Sequence, residues 1–309
     1  MSETAASADL YSAIEASAGL LDVPCSREKV WPVLNAYEDA LASAVIAFRV
    51  GTGERYTGDL DWRFSVPQHV DPYAVALAKG LTEATDHPVG TLLADINERC
   101  PIDSYGIDFG VVGGFKKIYA FFAPDGMQRL STLIDIPSMP ISLAENFDFF
   151  ARYGLDADKV NVFGIDYRHR TVNLYFGGLP AQCLEPETIT AMLRDIGFPE
   201  PSEQMLKLGG QAFGIYTTLG WDSPEIERFC FSVMTPDSVS LPVPIEPKIE
   251  KFLDGVPHDS ADGRFIYYAA MSATGEENFK VQSYYQWQSR MQGQMLLSDS
   301  DEQQGKRDS

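Results

Sequence analysis

Polar and apolar residues alternate along several stretches of this chain. In YRHRTVNLYF, residues 167–176, the odd positions are Tyr167, His169, Thr171, Asn173 and Tyr175, while the even positions from 172 onward are Val172, Leu174 and Phe176. Successive side chains of a strand point to opposite faces, so one face here hydrogen-bonds and the other is apolar. In RFCFSVM, Arg228, Cys230 and Ser232 oppose Phe229, Phe231 and Val233. Lys280, Gln282 and Tyr284 share a face in KVQSYYQW, as do Asp61, Arg63 and Ser65 in DLDWRFSV.

Such strands come in pairs, each behind a helical stretch. SREKVWPVLNAYEDALASA precedes strands near 45–51 and 58–66, and PYAVALAKGLTEAT precedes 104–112 and 114–122. AENFDFFARYG leads to 159–166 and 169–177, PETITAMLRDIG to 209–218 and 226–234, and EPKIEKFLDG to 263–271 and 278–286. A last helix is predicted through QWQSRMQGQMLL. Short links within each pair imply antiparallel hairpins. The repetition lies in architecture and not in sequence.

A half-solvated sheet would give the same alternation in any one strand. The amphipathic helices between the pairs decide otherwise, because they need an apolar surface to cover and place the greasy strand faces outward. Closing ten strands removes exposed edges and leaves a lumen wider than that of an eight-stranded barrel. The expected fold is α+β: a ten-stranded antiparallel barrel of five repeated helix–hairpin units, with a polar, ligand-binding lumen surrounded by helices. It forms one domain over residues 1–297, with a polar tail at 298–309.

Composition narrows the function. A formal net charge of −20 over 309 residues argues against nucleic-acid or anionic-membrane partners, which call for lysine and arginine. The four cysteines, Cys25, Cys100, Cys183 and Cys230, form no CxxC pair. The first residues, MSETAASADL, carry no signal-peptide pattern, and no apolar run approaches the roughly 18 residues of a membrane span. A cytoplasmic, monomeric protein is the expectation.

Against this acidic background, cations on the inward faces stand out. Arg63, Lys117, His169, Arg228 and Lys280 come from five strand regions, interleaved with Tyr119, Tyr175, Tyr216 and Tyr284. Cations gathered in a low-dielectric space repel one another unless an anion neutralises them, and a diphosphate would do so. Thr171 and Asn173 add neutral donors, making a phosphate cradle without a glycine-rich loop. Tyrosine ring faces attract a cation within about 6 Å, so they would shelter an allylic carbocation. In GGFKKIYAFF, residues 113–122, strict alternation puts Lys117 inward with Tyr119 and sends Lys116 to the solvated outer face.

GGFKKIYAFF, IPSMP at 136–140, ENFDFFARYGLD at 145–156, RTVNLYF at 170–176 and the LDW around Asp61 together resemble the soluble aromatic prenyltransferases of the PT-barrel (ABBA) fold, in their NphB-like, naphthoquinone- and phenol-modifying branch. The resemblance spans residues 9 to 295. It implies transfer of a geranyl or dimethylallyl group from its diphosphate to an electron-rich aromatic acceptor by Friedel–Crafts-type substitution, in secondary metabolism. Its diphosphate ligands fall on Lys117, Thr171, Asn173, Tyr216, Arg228 and Lys280. Its prenyl-shielding positions fall on Tyr119, Tyr175 and Tyr216, and its acceptor positions on Asn161, Phe213, Gly214, Ser232, Gln282 and Tyr284.

Departures from the family pattern sharpen the expectations. His169 replaces a lysine, making one phosphate contact weaker or pH-dependent, and Gly214 and Gln282 replace a serine and a glycine in the acceptor pocket. Arg63 replaces a serine. It is expected to pair with Asp61, the position that holds Mg2+ in metal-dependent relatives, and to join the diphosphate cradle, making the metal dispensable and leaving no required cofactor. His69, His87 and His258 read as ordinary surface histidines, and Tyr285, Phe229 and Phe231 as packing beneath the helices. Two other functions compete: a carrier of amphipathic ligands, disfavoured by the cations, and a prenyl diphosphate hydrolase, for which no metal carboxylates, P-loop or nucleophile triad is present; the lack of a DDxxD stretch argues against the all-helical prenyl synthases.

Overall fold

The computed structural model describes residues 5–53, 56–235, 241, 243–258 and 265–287. Ten strands are present: β1 (Ile46–Gly51), β2 (Asp61–Pro67), β3 (Ile102–Gly110), β4 (Gly114–Phe122), β5 (Val160–Asp166), β6 (Thr171–Phe176), β7 (Gly214–Gly220), β8 (Ile226–Thr235), β9 (Phe265–Ser272) and β10 (Glu277–Gln286). Each pairs antiparallel with its neighbours in sequence, and β10 pairs back onto β1 to close the barrel. The expected hairpins and closure are therefore both present.

The two faces sort as the alternation demands. Val172, Leu174 and Phe176 on β6, and Phe229, Phe231 and Val233 on β8, are at most 3% exposed and belong to one large core between barrel and helices. Each such side chain removed from water stabilises the fold by about 1.5–3 kcal/mol. Helices close over this shell with their apolar stripes. Pro186–Asp195 buries Ile189, Met192 and Leu193, and Pro247–Gly255 buries Ile249 and Phe252. Both start with proline, whose missing N–H costs nothing in the first turn. A second, smaller apolar cluster lies inside the barrel around Tyr216, Cys230, Tyr268 and Tyr284.

Helix boundaries depart further from the sequence pattern. The stretch from Ser26 to Ala44 breaks at Tyr37 into Arg27–Ala36 and Glu38–Leu41. The helix at Pro72, capped by the Asp71 carboxylate on the Tyr73 and Ala74 amides, stops at Ala78, just before Gly80 at a φ of +67°. β7 begins at Gly214 and not near 209, because Glu203–Gly209 is a helix capped by Ser202. Ala5–Leu20 and Leu92–Arg99 are further helices outside the expected pattern. The predicted helix at 286–297 falls outside the described residues except for Gln286, which ends β10, and Trp287; the tail at 298–309 lies wholly outside them.

Candidate active site

Strand register decides which charges meet inside the barrel. Arg49 lies directly across from Asp61, Arg63 across from Asp108, and Lys117 across from Asp166. Each cross-strand pair is an ion pair: Arg49 Nη2 to Asp61 Oδ2 at 2.8 Å, Arg63 Nε to Asp108 Oδ1 at 2.6 Å, and Lys117 Nζ to Asp166 Oδ2 at 2.9 Å. Opposed Cβ atoms sit about 5 Å apart, whereas residues two apart along one strand are separated by about 7 Å. Arg63 therefore takes Asp108, and the expected Arg63–Asp61 pair does not form.

Lys116 is the second correction. Between Asp108 and Phe109 the β3–β4 register shifts, so that Asp108 faces Lys117 while Phe109 faces Phe115 and Lys116 is the extra residue. A bulge of this kind turns two consecutive side chains to one face, and Lys116 enters the lumen beside Lys117. Its ammonium holds Asp59 Oδ2 at 2.7 Å and also binds Asp61 Oδ1. Gly110 makes room, since a Cβ there would stand 2.1 Å from Asp59 Oδ2 and 2.5 Å from Lys116 Cε.

An alternating chain results: Asp59, Lys116, Asp61, Arg49, Asp108, Arg63. Burial opposes ionisation of Asp61 and Asp108. Arg49, with Lys116 at Asp61 and Arg63 at Asp108, outweighs it and holds both carboxyls below the usual range. Burial likewise works against the Lys116 charge, but Asp61 and Asp59 raise its pKa above the ordinary lysine value.

Two chambers flank this chain. The first, about 890 Å³, is strongly polar, with six cationic side chains (Arg49, Lys116, Lys117, Arg168, Arg228, Lys280) and His169 set against the carboxylates of Asp61 and Asp166. Asn173 is anchored there, accepting from Lys117 Nζ at 3.1 Å and donating to Thr218 Oγ1 at 2.6 Å. Lys280 donates to the Tyr216 hydroxyl, and its ammonium stands 5.0 Å from the Tyr268 ring centroid. Arg228 forms no ion pair among the described residues, and its buried Nε and the Thr171 Oγ1 both lack a hydrogen-bond partner. Unmet buried donors of this kind fit an anionic oxygen. His169 stands at the mouth, half-exposed, on the turn after β5, with Nδ1 3.0 Å from Asp166 Oδ2.

The second chamber, about 600 Å³, is mainly apolar and lined by Phe121, Val162, Phe213, Ile266 and Tyr268, with Asn161, Gly214 and Ser232. Tyr119 and Tyr175 line both chambers. Their rings meet edge-on at 6.0 Å, and Tyr175 lies 4.6 Å from Tyr216. Burial pushes all three phenols far above their ordinary pKa, so they stay neutral donors. Gln282 and Tyr284 line a small adjoining cavity with Arg63 and Phe121.

Most sequence-predicted residues thus converge. Lys117, His169, Asn173, Tyr216, Arg228 and Lys280 line the polar chamber, and Thr171 is buried beside Gly220 in the wall next to it. Arg63 does not reach that chamber; it lines the apolar one, its guanidinium carbon 3.8 Å above the Tyr119 centroid. Arg49, Asp108, Asp166, Tyr56 and Tyr268 were missed. For Arg49, Asp108 and Asp166 the alternation rule itself carries the signal, because each lies on the inward face of its strand. Magnesium does not fit at Asp61, since one carboxylate oxygen is held by Arg49 and the other by Lys116.

Comparison with known proteins agrees with this geometry. The family described as "Aromatic prenyltransferase Orf2" matches residues 6–294. Flaviolin linalyltransferase of Streptomyces virginiae is 54% identical over 287 residues, 93% of this chain and 95% of that protein. The 5,10-dihydrophenazine-1-carboxylate 9-dimethylallyltransferase of Streptomyces anulatus is 50% identical over 301 residues, 97% of this chain and all of that protein. Among solved structures, the apo form of prenyltransferase PriB superposes with a TM-score of 0.57 at 11% identity, covering 92% of this chain and 97% of that one, which shows the shared fold. The chain belongs to the aromatic prenyltransferase family and is an enzyme that transfers prenyl groups to aromatic compounds.

Proposed function

We propose that the polar chamber holds a prenyl diphosphate and the apolar chamber an electron-rich naphthalene, naphthoquinone or phenolic acceptor, with the prenyl chain crossing between Tyr119, Tyr175 and Tyr216. The observation that carries this reading is that Tyr119 and Tyr175 are shared by a cationic and an apolar chamber. Ionisation of an allylic diphosphate needs charge stabilisation at the leaving group, and these two tyrosines stand at the boundary where the carbocation would form.

In this mechanism Lys117, Arg228 and Lys280 stabilise the departing diphosphate as the C–O bond breaks and its negative charge grows. Asn173, Tyr216 and Thr171 donate to its remaining oxygens, and His169 contacts it from the mouth. Lys116 and Arg49 add charge that is already set against Asp61. The tyrosine rings stabilise the allyl cation and keep out water that would quench it. An aromatic carbon of the acceptor, positioned by Asn161, Phe213, Gly214 and Ser232, then attacks.

The donor is a geranyl or dimethylallyl diphosphate, and the reaction runs without magnesium because Arg49 and Lys116 occupy Asp61. Four unpaired cysteines accord with a reducing cytoplasm, and no described helix is long and apolar enough to cross a membrane. Incubation with either diphosphate and flaviolin or 1,6-dihydroxynaphthalene, with and without EDTA, tests the reading by mass. Prenylated product in EDTA is expected. Prenyl alcohol alone would favour a hydrolase, saturable binding without turnover a carrier, and turnover restored only by magnesium would refute metal independence.

A further inference from the structure

Among the described residues, Arg63 is the one charged side chain lining the apolar chamber. Its Nε and Nη2 face Asp108, at 2.6 and 3.3 Å, and Nη1 makes no hydrogen bond among the described residues. The guanidinium carbon sits 3.8 Å from the Tyr119 ring centroid, over the ring. In the adjoining cavity that Arg63 also lines, Gln282 Nε2 donates to the Tyr284 hydroxyl at 2.8 Å, while its buried Oε1 has no partner. Asn161 Oδ1, across the chamber, is buried and unpartnered as well. The chamber and the cavity beside it therefore present one open cationic donor, Arg63, and two unmet acceptors, Asn161 in the chamber and Gln282 in the cavity. A neutral hydrocarbon ring would leave all three dry and without a partner, which disfavours its binding.

We propose that Arg63 determines acceptor specificity by selecting an aromatic that carries an ionised oxygen, a phenolate, enolate or carboxylate, with a hydroxyl of the same molecule donated to Gln282 or Asn161. The ionised oxygen takes the open edge of Arg63. In a phenolate or enolate it also feeds electron density into the ring that attacks the carbocation. This inference rests on the assignment of the apolar chamber to the acceptor.

The test is equilibrium binding of 2-naphthoate and its neutral methyl ester, two probes with the same rings, to the wild type, Arg63→Met and Arg63→Lys, with melting curves recorded for each. A hydrogen bond to a charged group is worth enough that the wild type should prefer naphthoate by about tenfold or more. Arg63→Met should bring the ratio near one while the affinity for geranyl thiolodiphosphate stays within about threefold. Arg63→Lys keeps a charge beside Asp108 without the open fork and should lose at least about threefold of the preference, which covers the case of an unfolded methionine variant. A wild type without preference, a lysine variant that retains all of it, or a methionine variant that weakens thiolodiphosphate instead would each overturn the proposal. If the wild type prenylates naphthols but shows no Arg63-dependent preference, acceptor selection alone falls; if it prenylates nothing, the assignment of function falls.

Discussion

Lys116 and Lys117, adjacent in the chain, point to the same side of the barrel wall, because the bulge opposite Asp108 makes Lys116 an extra residue. Their partners differ. Lys117 is held by Asp166 and Asn173 at the wall of the polar chamber, whereas Lys116 is spent on Asp59 and Asp61. Lys117→Ala should lower kcat by about 10²–10³-fold, the loss typical for one donor at a developing oxyanion. Lys116→Ala, which strict alternation would make harmless, should lower the melting temperature and raise the KM for the diphosphate, because Asp61 then faces the chamber with Arg49 as its only remaining cation. Steady-state kinetics and melting curves on the two variants check this, and an inert Lys116→Ala would contradict the bulge.

Arg228 makes no ion pair among the described residues, unlike Lys116 and Lys117, and Glu227 acts on it only as a nearby charge, so its guanidinium is open to an anion. Arg228→Ala should therefore cost at least as much in kcat as Lys117→Ala, about 10³-fold. Arg228→Lys should recover only part of it, since a lysine cannot bridge two phosphate oxygens with a rigid fork. Single-turnover rates with saturating donor would separate this from weakened binding.

The tyrosines should not be equivalent. One face of Tyr119 is covered by the Arg63 guanidinium, a cation that would repel another at the same ring. Tyr175, tilted against Tyr216 at 4.6 Å between ring centroids, keeps its role as shelter. Tyr175→Leu should raise the ratio of prenyl alcohol to prenylated product several-fold, and Tyr119→Leu should change it less. Quantifying both products by mass in the same reaction decides the order.

Barrel, strand order and most of the site were legible because alternation sorts inward from outward residues with little ambiguity when ten strands obey it. Thr171, Asn173 and Tyr175 on β6 illustrate the success, and the buried phenylalanines of β8 confirm the outer face. The failures have two physical origins. Lys116 was misplaced because a bulge is one inserted residue, which leaves no mark on the local pattern. Arg63 was given the wrong partner because cross-strand register depends on pairing between β2 and β3, which a strand read alone does not contain. The carboxylates Asp108 and Asp166 lie on the inward side of β3 and β5 by the same alternation, so their place inside is legible in the sequence although their cationic partners are not.

Asp108 ties the charged chain together, being fully buried and bonded to Arg49, Arg63 and the Tyr119 hydroxyl at 2.5, 2.6 and 2.9 Å. Asp108→Asn would leave two buried guanidinium groups short of a counter-charge and should destabilise the fold by about 3–5 kcal/mol. The pH dependence has a definite sign. Arg49 and Arg63 hold the folded-state pKa of Asp108 below its unfolded value, so its contribution is complete above about pH 4 and is lost as pH falls through the lower, folded value. Urea unfolding of the wild type should thus show stability falling steeply on the acid side, while Asp108→Asn, less stable throughout, should show a shallower fall over the same range. Parallel acid limbs in the two proteins would mean that the depressed carboxyl lies elsewhere in the chain of charges.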